Sequence, residues 1–132
     1  MVSLTIDGEK VLAEDGSTLL ETSRKLGIKI PTLCYHEALA PYGACRLCVV
    51  EVIRRGRSRL VTSCTMPVEQ DIEVKTHSEP VQRARRLIME LLIARCPNSP
   101  VLRQLAHDLG VERSRFKTDN PDEKCILCGL CY

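Results

Sequence analysis

Cysteine is the residue type with the most chemistry to offer in this 132-residue chain, which contains eight of them. They fall into a first group, a single residue and a C-terminal group: Cys34, Cys45, Cys48 and Cys64; Cys96; and Cys125, Cys128 and Cys131. The N-terminus has no basic start followed by an apolar run, and no apolar stretch reaches the roughly 18 residues that a membrane span needs. We therefore expect a cytoplasmic protein without membrane insertion, whose cysteines bind metal or a cluster rather than form disulfides.

The first group supplies four thiolates, which can hold either a tetrahedral zinc ion or a two-iron cluster. Structural zinc sites usually use two Cys-x-x-Cys knuckles. Within the first group only Cys45 and Cys48 have that spacing, and they lie in a loop that also contains Cys34. Gly43 and Ala44 are small, so backbone N–H groups can approach sulfur. The spacing favours an iron–sulfur cluster, and a zinc-stabilised, cysteine-rich interaction module without a redox role is the alternative.

Three stretches of the chain carry a family resemblance: "IPTLCYH", "GACRLCVVEV" and "LVTSC". Residues 1–76 resemble the N-terminal two-iron ferredoxin domain of the large iron–sulfur subunit of respiratory complex I and of its relatives in NAD-linked hydrogenases and formate dehydrogenases. The resemblance implies a β-grasp domain and a [2Fe-2S] cluster held by Cys34, Cys45, Cys48 and Cys64. It also implies relay of single electrons within a larger oxidoreductase complex, with flavoprotein, hydrogenase or dehydrogenase subunits as redox partners.

The C-terminal cysteines have the spacing of the first three ligands of a bacterial four-iron run, whose fourth cysteine normally follows after three more residues. We expect residues 112–132 to be a linker and the start of a 4Fe-4S motif. Its ligands would be Cys125, Cys128 and Cys131, and we expect the motif to be truncated in this chain. A second explanation is that Cys96, which precedes a proline, supplies the fourth ligand; its other interpretation is a buried free thiol. The third is an empty site with exposed, oxidisable thiols.

Periodicity and turn signals predict a mixed fold. A turn at Asp7-Gly8 joins two alternating strands, and a helix capped by Ser17 and ended by Gly27 follows. After the cysteine loop, a second hairpin and one more strand complete the order β, β, α, loop, β, β, β. Residues 77–111 predict two helices, which we interpret as a connector. With the resemblance, the fold class is α+β: a β-grasp, 2Fe-2S ferredoxin-like domain, a two-helix connector and an incomplete 4Fe-4S ferredoxin-like segment.

Charge and the remaining motifs exclude other functions. A net charge of +2 and 3% aromatic residues do not favour nucleic-acid binding. Arg83, Arg85 and Arg86 are interpreted as a solvated helix face, with docking of an acidic partner as the alternative. His107 has no cysteine near it and is interpreted as a helix-face histidine, not a cluster ligand. Since the sequence has no phosphate-binding loop and no acid–base pair, we expect a non-catalytic electron-transfer subunit of an oxidoreductase.

Overall fold

A computed structural model describes residues 1–41, 43–118, 120–128 and 130–131. The elements, in chain order, are β1 (Val2–Ile6), β2 (Glu9–Ala13), α1 (Leu19–Lys25), β3 (Val49–Arg54), β4 (Arg57–Thr62), β5 (Glu73–Lys75), α2 (Glu79–Arg95) and α3 (Pro100–Asp108). This order confirms the predicted succession of two strands, a helix, a long loop and three strands, followed by two helices. Within these described ranges, every helix is too short or too polar to cross a membrane.

The strands form one mixed sheet in the order β2-β1-β5-β3-β4. β1 and β2 are antiparallel, and the turn between them adopts positive φ at both Asp7 (49°) and Gly8 (87°), as a two-residue hairpin turn requires. β1 and β5 run parallel, whereas β3 is antiparallel to both β4 and β5. β4 therefore forms one edge of the sheet, with β3 next to it inside.

One face of the sheet packs against α1. Alternate strand residues are buried on this face, as the two-residue period of a strand requires: Leu4, Ile6, Val50, Val52 and Val74. Leu19 and Leu20 of α1 are fully buried in the same core. Cys48 and Cys64 also belong to it, so two cysteines of the first group are anchored in the core of the sheet.

The N-terminus of α1 differs from the prediction by one residue, because Thr18 and not Ser17 is the N-cap. The Thr18 hydroxyl accepts a hydrogen bond from the Glu21 N–H at 3.1 Å, and the Glu21 carboxylate accepts one from the Thr18 N–H at 2.9 Å. This reciprocal capping box needs Thr-x-x-Glu, a pattern that starts at Thr18. Ser17 Oγ instead donates to the Glu14 carbonyl at 2.6 Å. Gly27, with φ of 79°, follows the helix end as predicted.

α2 and α3 pack against each other, and α2 also contacts β3. Their shared core contains a second set of buried residues: Met89, Cys96, Leu102, Ala106 and Val111. Ser99 caps α3 by accepting a hydrogen bond from the Leu102 N–H at 3.4 Å, and Gly110, with φ of 76°, follows the end of that helix. Ser99 and Gly110 therefore mark the start and the end of α3.

The segment that follows α3 contains no helix or strand in its described part, and hydrogen bonds hold it against α2. Ser114 Oγ donates to the Glu90 carbonyl at 2.6 Å, and the Arg115 guanidinium donates to the Glu90 carboxylate at 2.8 Å. Further along, Arg95 Nε donates to the Cys125 carbonyl at 2.6 Å. The described part of this segment is thus a loop that covers α2.

Candidate metal centre

The β3–β4 hairpin brings Cys48 and Cys64 together. Cys48 directly precedes β3 and Cys64 lies just beyond the end of β4, whose strand register pairs Val49 with Thr62. Ser63 extends this pairing, because its N–H and its Oγ donate to the Cys48 carbonyl at 3.1 and 2.6 Å. The Cys48 thiol is near enough to raise the pKa of Cys64, and the two residues are 1% and 0% exposed. The hairpin therefore positions one buried pair of thiols.

The loop between α1 and β3 forms a second thiol pair from Cys34 and Cys45. The Cys45 backbone N–H donates to Cys34 Sγ at 3.5 Å. Both residues are buried, together with the fully buried Leu47, in an apolar cluster of their own. The loop itself contains no strand or helix in its described part, and its cysteines and Leu47 pack against residues of α2 and α3.

The path of the loop just before Cys45 requires a glycine. Gly43 has φ of 72°, and a Cβ at this position would lie 3.2 Å from Thr65 Cγ2. Thr65 follows Cys64 in the chain, so the missing side chain lets the loop lie directly against the residues next to the first thiol pair. Gly43 is thus small for its approach to Thr65, whereas the backbone N–H that donates to a sulfur here is that of Cys45, and Ala44 is exposed.

The two thiol pairs are close enough to influence each other, since the charges of Cys34 and Cys45 act on Cys64. Among the residues that the structure describes, no group of three or more His, Cys, Asp or Glu has the geometry to hold a single metal ion. A structural zinc ion would draw four ligands to one point, whereas each iron of a four-cysteine [2Fe-2S] cluster takes two. The arrangement in two pairs therefore fits a two-iron cluster better than a zinc ion.

Burial raises the pKa of the Cys64 and Cys45 thiols in this site. The pKa of Cys64 is raised to about 12, first by desolvation and then by its hydrogen bond with Cys48 and the charges of the neighbouring cysteines. Desolvation also raises the pKa of Cys45. Because only the thiolate binds metal, ligation at neutral pH must release these protons. Buried, protonated thiols are poor nucleophiles, so the site is suited to ligation and not to covalent catalysis.

The other four cysteines lie near the C-terminal end of α2 and in the segment that covers it. Cys96 is the C-cap of α2 and fully buried; burial raises the pKa of its thiol, on which the charge of Cys125 also acts. Cys125 and Cys131 are exposed. Cys128 is half-buried and packs against the apolar cluster that contains the second thiol pair. His107 is exposed on α3, as expected.

Sequence reasoning missed Arg85. Its placement on a solvated face of α2 is wrong, because Arg85 is 2% exposed while Arg83 on the same helix is exposed. Arg85 lies four residues from both Val81 and Met89, which are fully buried, and this spacing is the signal that it shares their face. Its guanidinium donates to the Val49 carbonyl at 2.9 Å. Desolvation lowers its pKa to about 10, so the side chain is positively charged at neutral pH.

Two buried thiol pairs at the end of a mixed sheet define an iron–sulfur protein of the two-iron ferredoxin class. The chain belongs to the family of 2Fe-2S iron-sulfur cluster binding domains, whose family model matches residues 1–79. This confirms both the resemblance noted for residues 1–76 and the [2Fe-2S] cluster as the cofactor. It also disfavours the zinc-stabilised module.

Proteins similar to this chain are subunits of several oxidoreductases. The chain is 38% identical over 154 residues to the NADPH-Fe(3+) oxidoreductase subunit alpha of Geobacter sulfurreducens, covering 99% of this chain and 18% of that protein. It is 38% identical over 120 residues to the mitochondrial NADH-ubiquinone oxidoreductase 78 kDa subunit of Candida albicans, covering 89% and 16%. A chain of an NAD+-reducing [NiFe]-hydrogenase in the H2-reduced state superposes with a TM-score of 0.82 at 33% identity, covering 98% of this chain and 64% of that one. The chain thus spans less than a fifth of the two curated relatives.

Proposed function

We propose that this chain is an electron-transfer unit of a larger oxidoreductase, in which Cys34, Cys45, Cys48 and Cys64 hold the [2Fe-2S] cluster. The observation that carries the proposal is the arrangement of these four buried thiols in two pairs. When bound, such a cluster accepts and releases one electron at a time. The described residues offer no group suited to bond-making chemistry, and we propose that the chain itself is non-catalytic.

The protein groups around the site have three tasks in this function. The thiolates hold the irons, and the Cys45 N–H donates to a ligand sulfur, a bond that tunes the potential of such centres. Leu47, which is fully buried, helps to exclude water from the cysteine loop. The β3–β4 hairpin fixes Cys48 and Cys64 on the rigid part of the sheet, so their positions change little between oxidation states.

We propose protein subunits as the electron donor and acceptor, a flavoprotein, hydrogenase or dehydrogenase subunit in each case. The support is that the similar proteins are named as subunits of an NADPH-Fe(3+) oxidoreductase, an NADH-ubiquinone oxidoreductase and an NAD+-reducing hydrogenase. The electron would come from a reduced flavin or a reduced iron–sulfur centre and pass to an oxidised centre of the next subunit. We further propose that this relay operates in the cytoplasm.

The test of the proposed function is the iron, zinc and acid-labile sulfide content of anaerobically purified protein. The proposal expects about two irons and two sulfides per chain in the first site, with a brown colour. Zinc without sulfide would instead support the interaction module and defeat the electron-transfer proposal. The measurement separates the two classes because zinc sites contain no inorganic sulfide.

We also propose that residues 77–111 act as a connector between the domain of residues 1–76 and a four-iron site begun by Cys125, Cys128 and Cys131 in residues 112–132. The packing of Cys128 against the apolar cluster of the second thiol pair supports this, because two centres in that arrangement would be neighbours in a relay. Cys96 is the proposed fourth ligand within the chain, supported by the hydrogen bond from its neighbour Arg95 to the Cys125 carbonyl at 2.6 Å.

Iron content also tests this second site. About six irons per chain would mean that the second site is filled, and about two would mean that only the first one is. If six are found, Cys96→Ser should lower the count by about four while the two-iron signal stays. An unchanged count in that variant would eliminate Cys96 as the ligand. Cys48→Ser is the matched control, because it should remove the two-iron signal instead.

A further inference from the structure

A cationic side chain lies buried next to the proposed cluster site without an adequate partner. Arg85 is 2% exposed and stands on the face of α2 that packs towards β3. One NH₂ group of the guanidinium donates to the Val49 carbonyl at 2.9 Å. Its Nε is buried and has no hydrogen-bond partner within the described ranges. Val49 directly follows Cys48, so the guanidinium is fixed to the backbone beside a proposed cluster ligand.

Burial of a charged side chain is strongly unfavourable unless an opposite charge compensates it. Two anionic groups act on Arg85, the thiolate form of Cys48 and the carboxylate of Asp7. The Asp7 carboxylate is already engaged, because it accepts hydrogen bonds from the Thr76 N–H at 2.8 Å and from the Thr76 hydroxyl. No ion pair to Arg85 exists among the described residues, whose salt bridges involve other arginines and the N-terminal ammonium. Of the two anionic groups that act on Arg85, the cysteine site has the larger effect and Asp7 the smaller.

We propose that Arg85 is the buried counter-charge of the [2Fe-2S] site and shifts its one-electron couple towards the reduced form. This inference rests on the proposed function, since it needs the cluster on the four cysteines. Four thiolates make the site anionic, and uptake of one electron without a proton adds one more negative charge. A fixed positive charge stabilises the more negative state in a low-dielectric environment. Arg85 therefore raises the reduction potential of the site.

Arg85 also ties α2 to the start of β3, so a purely structural role must be separated from the electrostatic one. Arg85→Met keeps much of the apolar side-chain length and removes the charge, and Arg85→Gln keeps a polar group without the charge. Arg85→Lys keeps the charge and loses the planar guanidinium. Arg83→Met is the matched control: it makes the same change on the same helix at an exposed, solvent-screened position, ion-paired with Glu79.

The experiment is a dithionite titration of each full-length variant in the presence of redox mediators, with the reduced cluster counted by electron paramagnetic resonance. One electron from dithionite reduces one ferric ion of the cluster to ferrous. We expect Arg85→Met and Arg85→Gln to lower the ratio of reduced to oxidised cluster about tenfold at a fixed ambient potential, equivalent to a shift of about −59 mV. Arg85→Lys should stay near the wild type, and Arg83→Met should not shift.

The outcomes separate this inference from the proposed function. Wild-type protein without a two-iron cluster would overturn both. A cluster at full occupancy in Arg85→Gln with an unshifted potential would overturn the role of Arg85 and leave the proposed function intact. Loss of the cluster from both uncharged variants would assign Arg85 a structural role in place of the proposed one. A lowered potential in the uncharged variants, restored by lysine, is the result that the inference predicts.

Discussion

The Cys45 N–H donates to Cys34 Sγ across 3.5 Å, although the two residues are eleven positions apart in the chain. This bond closes the cysteine loop on itself before any metal is considered. Gly43 permits the closure, because its backbone adopts φ of 72° where the loop meets Thr65. The loop geometry that brings these two proposed ligands together is therefore built into the backbone.

The first prediction concerns Cys45 itself. Cys45→Ser should lose most of its iron and sulfide and should increase amide hydrogen exchange over residues 30–64, because ligation and folding of this loop are coupled. The measurements are metal analysis and exchange followed by mass spectrometry. Cys125→Ser is the control, since this exposed residue lies outside the first group and should leave the two-iron signal unchanged. Wild-type iron content in Cys45→Ser would defeat the ligand assignment.

The second prediction concerns Gly43. Gly43→Ala should destabilise the protein by about 1 to 2 kcal/mol from left-handed strain alone, and further because the new Cβ meets Thr65 Cγ2 at 3.2 Å. Gly8→Ala is the control: Gly8 has φ of 87° and open space around it, so this variant has left-handed strain but no new contact. The check is chemical denaturation of the two variants.

A double variant isolates the contact at Gly43. Thr65→Ser removes Cγ2, so it should recover the part of the loss by which Gly43→Ala exceeds Gly8→Ala. Equal losses in Gly43→Ala and Gly8→Ala would show that the approach of Thr65 has no energetic effect.

The third prediction tests the helix start. Thr18→Ala should cost about 1 kcal/mol of unfolding free energy, because it removes the hydroxyl half of the capping box with Glu21. Ser17→Ala should cost less, since the Ser17 hydroxyl donates to the Glu14 carbonyl and caps no helical N–H. Thermal or urea unfolding of the two variants ranks them. The reverse ranking would restore Ser17 as the cap.

The fourth prediction concerns pH and the pair of Glu90 and Arg115. The pKa of Glu90 is held below its ordinary value of 4.5, first by its hydrogen bond with Arg115. A depressed carboxyl pKa stabilises the fold above the unfolded-state pKa, and this contribution is lost as the pH falls through the folded-state pKa. Arg115→Met should therefore be less stable than the wild type at neutral pH, and the difference should close below about pH 4.

Melting temperatures of the two proteins across that acid range provide the measurement for the Glu90 and Arg115 pair. Arg113→Met, an exposed arginine two residues earlier, controls for the loss of one positive charge. A difference between wild type and Arg115→Met that does not change with pH would contradict the assignment.

The elements that depend on local signals could be predicted from the sequence, and those that depend on tertiary packing could not. The hairpin at Asp7 and Gly8 was predictable because positive φ at both positions belongs to a specific turn type. The cap of α1 was missed by one residue, although the pattern from Thr18 to Glu21 was present in the sequence. The spacing of the cysteines did not predict which of them pair, because the strand register and the path of the loop determine the pairing.

Arg85 is a second feature that depends on tertiary packing and was not predicted from the sequence. Composition places arginine on the surface, and three arginines close together strengthen that expectation. Only the packing of α2 on β3 turns the guanidinium inwards to the Val49 carbonyl. The apolar residues Val81 and Met89, each four residues from Arg85, were visible in the sequence. The charge of Arg85 nevertheless favoured a surface position in the prediction.

The measurement that tests the central claim most directly is a reductive titration of anaerobically purified protein, followed by visible absorption and electron paramagnetic resonance. The proposed function predicts that the first site takes up about one electron per chain, bleaches on reduction and gives about one unpaired spin of a reduced two-iron cluster. A colourless protein that takes up no electrons and stays without a spin signal would contradict it.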